Sequence, residues 1–166
     1  AYEHDATAIC KKSKDCIASG LCGSSVWEGD YLGQCVALTN EHCRQSHACA
    51  SDGKCSLEDG ECVTDDAGCR KLPACKAHGK CHAQRDECRA GSDEDCKQSD
   101  ACKAEGNCSL NGDSCGAGND AECKASDACK NEGRCGVHYN SCVSESWLSQ
   151  ESGTTANLRS THFVDA

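Results

Sequence analysis

The sequence predicts a small disulfide-rich fold, a tandem array of five units of about 27 residues stacked as a solenoid-like rod. Three observations predict it. The chain carries 20 cysteines in 166 residues, a density at which cysteine reads as scaffold. Those cysteines recur in one frame, C-x5-C-x5-C-x6-C, until all are used. Little else is present to build a core: aromatics are 4% of residues, Met is absent and mean hydropathy is −0.65. Cross-links take over where a module is too small to bury apolar surface.

The frame divides the chain. The first cysteines are Cys10, Cys43, Cys69, Cys96 and Cys123; the second are Cys16, Cys49, Cys75, Cys102 and Cys129. The third are Cys22, Cys55, Cys81, Cys108 and Cys135; the fourth are Cys35, Cys62, Cys88, Cys115 and Cys142. Unit 1 is 10–42 and holds an insertion at 23–34; units 2 to 5 are 43–68, 69–95, 96–122 and 123–142. An N-terminal extension (1–9) and a cysteine-free tail (143–166) flank them. Four cysteines allow three pairings within a unit, and spacing does not choose among them. Pairing within each unit is expected over staples between neighbours.

Each unit opens with a helix signal. Thr39, Asp65, Ser92 and Asn119 stand four residues before the first cysteines of units 2 to 5, and all are good N-caps. Asp95 and Glu122, three residues after their caps, resemble a capping box. A glycine (Gly20, Gly53, Gly79, Gly106, Gly133) precedes every third cysteine by two and suits the left-handed residue that ends a helix. Pro73 interrupts a single continuous helix, since proline is tolerated at a first helical position and not inside. The residue before that position is Ser13, Ser46, Ser99 or Ser126 elsewhere, again a cap type. The helical part is therefore two short turns or one helix kinked at that serine. After the glycine, short strand-like arms around Asp59-Gly60, Asn111-Gly112 and Tyr139-Asn140 predict a mini-hairpin or a bare turn.

Two regions break the repeat. The unit 1 insertion contains Trp27 and Tyr31, and the tail contains Trp147 and Phe163. Both tryptophans and the only Phe lie there. Repeat arrays need atypical ends to cover exposed core, which explains aromatics at the ends as caps. The functional alternative is docking, because large aromatics are enriched at interface hot spots. The Thr161–Val164 run of the tail suits strand addition to a sheet edge.

Other chemistry finds little support. Zinc and iron–sulfur sites favour close cysteine pairs, and no CC, CxC or CxxC occurs. His78 and His82 are i, i+4, but Gly79 ends any helix between them, so no metal or other cofactor is expected. Acidic residues before the first cysteines fit the helix dipole better than a calcium loop. No nucleophile elbow, zinc-protease or phosphate-loop motif is present, and an enzyme is not expected. Net charge of −10 without a basic stripe disfavours nucleic acid, and no apolar run is long enough to span a membrane. The chain opens at Ala1 without an apolar leader, as a secreted protein does after signal cleavage.

The expectation is a secreted or cell-surface structural protein, a disulfide-stapled rod that associates with copies of itself as a filament or layer. A monomeric secreted binding or inhibitor module using the Trp27 insertion is the alternative, and a thiol metal-sequestering protein the third.

Overall fold

Polar caps start helices here because their side chains accept the N–H groups that the first helical turn leaves unpaired. In the computed structural model, which describes residues 3–25 and 33–144 with side chains from Ala6 onward, every unit has two short helices and a hairpin. Unit 1 has α1 (Glu3–Lys11), α2 (Lys14–Ser19), β1 (Gly23–Ser25) and β2 (Gln34–Val36). Unit 2 has α3 (Asn40–Arg44), α4 (His47–Asp52), β3 (Ser56–Glu58) and β4 (Glu61–Val63). Unit 3 has α5 (Asp66–Cys69), α6 (Pro73–His78), β5 (His82–Gln84) and β6 (Glu87–Arg89). Unit 4 has α7 (Asp93–Lys97), α8 (Asp100–Glu105), β7 (Ser109–Asn111) and β8 (Ser114–Gly116). Unit 5 has α9 (Asp120–Ala125), α10 (Asp127–Glu132), β9 (Gly136–His138) and β10 (Ser141–Val143).

The choice between one kinked helix and two is settled as two. Thr39, Asp65, Ser92 and Asn119 cap the first helices, and Ser13, Ser46, Ser99 and Ser126 cap the second. Ser46, Ser99 and Ser126 are buried because each bonds in both directions. Each accepts the N–H of its second cysteine and donates its hydroxyl, at 2.7 Å, to the carbonyl of its first. In unit 3 Leu72 holds this place without a side-chain bond, and Pro73 supplies the fixed first helical residue instead. The capping-box expectation needs correction. Asp95 is too short to reach back and accepts from the Ser92 hydroxyl. Glu122 accepts from the Gly118 N–H, one residue before the cap.

Each second helix ends at its glycine in the left-handed region, with φ between 70° and 79°. The glycine N–H and the one after it close back on the last turn, as in a Schellman motif. The chain then makes a two-residue antiparallel hairpin in register Leu57↔Cys62, Ala83↔Cys88, Leu110↔Cys115 and Val137↔Cys142. Asp59-Gly60 and Tyr139-Asn140 are the central turn residues, all at positive φ as a type I′ turn requires. Unit 4 departs from the expected Asn111-Gly112. Asn111 pairs with Ser114, so Gly112-Asp113 makes the turn, with Gly112 at φ 61° in its first position. In unit 1 the residues Gly23–Ser25 and Gln34–Val36 are themselves hairpin strands. The expected insertion 23–34 therefore includes strand residues at both of its ends.

All twenty cysteines pair, in ten disulfides and always within a unit. The first cysteine joins the fourth, tying the first helix to the second strand with Cα atoms 5.3–5.5 Å apart. The second joins the third across six residues, tying the second helix to the start of the hairpin. The first cysteines are the centre of the core: Cys43, Cys69, Cys96 and Cys123 are 0% exposed. The main contacts between elements run within a unit or to its sequence neighbour, as between α2 and α4, α6 and α8, and α8 and α10.

Candidate interaction surfaces

The repeating junction between units is the most built feature of the molecule. The left-handed glycine of one unit lies on the first-to-fourth disulfide of the next. A Cβ added to Gly20, Gly53, Gly79 or Gly106 would come within 2.6–3.0 Å of the sulfur of Cys62, Cys88, Cys115 or Cys142. It would also meet the backbone just before or at the following first cysteine, for example the His42 carbonyl at 2.8 Å. These glycines therefore answer two demands, positive φ and a neighbour with no room for a side chain.

A second line of bonds joins hairpin to hairpin. Two residues after the fourth cysteine, the N–H groups of Ala37, Ala90 and Ala117 donate to the turn carbonyls of Gly60, Asp113 and Asn140 in the next unit, at 2.7–3.1 Å. Unit 2 has Thr64 there and donates its hydroxyl to the Asp86 carbonyl at 3.0 Å. The alanines are almost fully buried. Arg89 adds a charged link to Asp113 of the next turn, and Arg134 reaches back 2.8 Å to Glu105. Bonds to Glu87 and Asp113, and to Glu105 and Glu132, stabilise the charged form of each guanidinium and raise its pKa.

Within units a latch holds helix to hairpin. The first helical residue, Asn40, Asp66, Asp93 or Asp120, accepts the N–H of Leu57, Ala83, Leu110 or Val137, seventeen residues on, at 2.7–2.8 Å. In unit 1 Thr7 meets Ser24 hydroxyl to hydroxyl at 3.0 Å. The Ala83 N–H is the main cause that holds the Asp66 carboxyl below its ordinary 3.8; partial burial opposes it, and His82 and Arg70 add to it. The acidic residues before the first cysteines thus do more than complement helix ends. His82 is committed to Asp66 at 3.0 Å, while His78 ends α6, so the i, i+4 histidine pair is divided between a helix and a strand.

The two outer faces differ from the inner ones. Gly20, Gly53, Gly79 and Gly106 are buried, whereas Gly133 is exposed and has nothing within 4 Å of an added Cβ among the described residues. Beside it a cavity of about 440 Å³ is lined by Glu132, Arg134, Cys142, Val143 and Ser144. At the other end Ile9 is 68% exposed. Its counterparts His42, Gly68, Asp95 and Glu122 all sit against the glycine of a preceding unit. Unit 1 also carries exposed Asp15 where units 2 to 5 have Ala48, Ala74, Ala101 and Ala128. A cleft of about 660 Å³ between the first two hairpins is lined by Leu21, Val36, Leu38 and Leu57 among others. Trp27, Tyr31, Trp147 and Phe163, the expected contact residues, lie outside the described residues.

Among the described residues no group of three or more His, Cys, Asp or Glu is disposed to hold a metal, and no helix is long and apolar enough to cross a membrane. The fold defines a disulfide-rich tandem-repeat protein, and ten disulfides suit an oxidising, extracellular environment. Comparison with protein families, with curated proteins and with solved structures found no match.

Proposed function

We propose that the chain is a secreted, non-enzymatic structural subunit, a solenoid-like rod that associates with copies of itself in a filament or surface layer. The observation that supports this reading is the junction of glycine on disulfide, formed at four successive unit boundaries with equivalent atoms. Stacking by one repeated operation favours an extended array with neighbour-only contacts. Cysteine, the residue type richest in possible chemistry, is wholly committed to disulfides, and a disulfide sulfur offers no thiolate to a metal or substrate. Electron microscopy of the native protein, with sedimentation velocity across a hundredfold range of concentration, tests the proposal. Extended polymers whose abundance rises with concentration are expected. A monomer at every concentration refutes it.

The cleft between the first two hairpins favours one second reading, a monomeric binding module. Ser25 and Gln34, which flank the Trp27 insertion, both line it, so a ligand seated there would reach both. In that case the protein stays monomeric and substitution of Leu38 or Leu57 by Asp abolishes ligand capture.

A further inference from the structure

We infer that two copies join end to end by the junction already used between units, with unit 1 of one copy seated on Gly133 of another. This rests on the self-association reading and names its surfaces. The internal junction needs a bare left-handed glycine on one side and a first-to-fourth disulfide on the other. Four such pairs are made among the described residues; there Gly133 faces no disulfide and no glycine faces the Cys10–Cys35 disulfide, whose Cys10 is itself buried against its own unit. Gly133 has the same backbone as the others, φ 71°, and differs in being exposed. The docking face is therefore preformed and continuous in kind with an interface the molecule already has four times.

The residues at the rim favour a second copy over an unrelated partner. Ile9, 68% exposed, occupies the position whose backbone is covered by a glycine in units 2 to 5. An apolar side chain in that place gains from being covered. Across the first junction, Leu21 of unit 1 and Ala48 of unit 2 line one cleft. The equivalent residues of the new junction are Arg134 of one copy and Asp15 of the next, so Asp15 would meet a guanidinium that Glu105 and Glu132 already hold in place. Because the two faces differ, the contact is heterologous, and repeating it without closure builds a linear polymer. It also brings the departure point of the C-terminal segment, after Ser144, beside the unit 1 hairpin of the neighbour, whose strands flank the Trp27 insertion.

The test uses the full oxidised chain with Gly133→Leu, which blocks one face, and Ile9→Asp, which spoils the other without touching the core. Each is expected to weaken association by at least about tenfold in sedimentation velocity, the loss of one central contact. Gly112→Leu, at a positive φ with nothing within 4 Å among the described residues and away from both faces, should assemble like the wild type. Mixing the two face variants is decisive. Ile9→Asp keeps an intact Gly133 face and Gly133→Leu keeps an intact unit 1 face, so the mixture should form dimers and nothing longer. If the wild type assembles and both variants assemble equally well, this junction is overturned while the structural reading stands, whether residues 145–166 of the same chain or another surface occupy Gly133. If the wild type never assembles, both fail together.

Discussion

The glycine at a unit junction and the glycine at the free end offer a controlled comparison. Gly106 and Gly133 share a helix-ending conformation, with φ of 79° and 71°. Replacing either by Ala therefore carries the same backbone cost, roughly 1–2 kcal/mol for a side chain in the left-handed region. At Gly133 nothing further is met within 4 Å among the described residues. At Gly106 the new Cβ would lie 2.6 Å from the Cys142 sulfur, 3.1 Å from the Cys123 Cα and 3.2 Å from the Glu122 carbonyl oxygen. Both sides of that contact are pinned by the Cys123–Cys142 disulfide, so relief must come from separating units 4 and 5. Overpacking of this kind costs about 1–3 kcal/mol beyond the backbone effect. Hydrogen exchange reads the junction directly, because the Ala117 N–H donates across it to Asn140 at 2.8 Å. Gly106→Ala should lower Ala117 protection by about 5- to 150-fold more than Gly133→Ala does. Equal loss of protection in the two variants would mean that the glycines serve only the helix end, and the stacking argument would fall.

Three further outcomes are expected. Reduction should unfold the chain, followed by far-UV circular dichroism: closing loops of about 20 and about 7 residues contributes roughly 3.3 and 2.4 kcal/mol per unit, and five such pairs exceed the whole stability of an ordinary domain. Asp93→Ala should destabilise unit 4 by about 1 kcal/mol and selectively raise the exchange rate of the Leu110 amide, whose 2.7 Å bond it removes. Asp66, held below 3.8 in the folded chain, supplies stability that is present above that pH and is lost as pH falls through its lowered value; the Ala83 amide shift should titrate with a midpoint below 3.8 in nuclear magnetic resonance, and Asp66→Asn should flatten that acid limb.

Much of the unit was legible because its signals are local. Caps, glycine stops and hairpin turns act through atoms a few residues apart, so Ser99, Gly106 and Asp59-Gly60 announce their roles in the sequence. The turn of unit 4 was less legible, since Asn111-Gly112 and Gly112-Asp113 both offer glycine in a suitable place. Register is decided there by the partner of a cysteine: Leu110 must oppose Cys115 for the disulfide to reach Cys96. Disulfide pairing was illegible for the same reason in reverse, because cysteines six residues apart can pair in several ways until the helix and hairpin directions are known. The latch and the junction were hidden more deeply. Asp93 looks like any acid at a helix start, and only the fold shows that its oxygen meets a strand seventeen residues away.

The repeated glycine illustrates why one residue can conceal a second role. Its left-handed φ is a sufficient reason for glycine at every one of the five positions, so the sequence offers no sign that four of them also face a disulfide. The two demands separate only at Gly133, where the first persists and the second has no partner within the described chain. Had the end of the array been sealed by design, the steric demand would have vanished there, and Asn, which also tolerates the left-handed region, would serve nearly as well. Glycine leaves no side chain on that face. Under the proposed end-to-end contact, that position would face the Cys10–Cys35 disulfide of a second copy, which no glycine of the described residues faces.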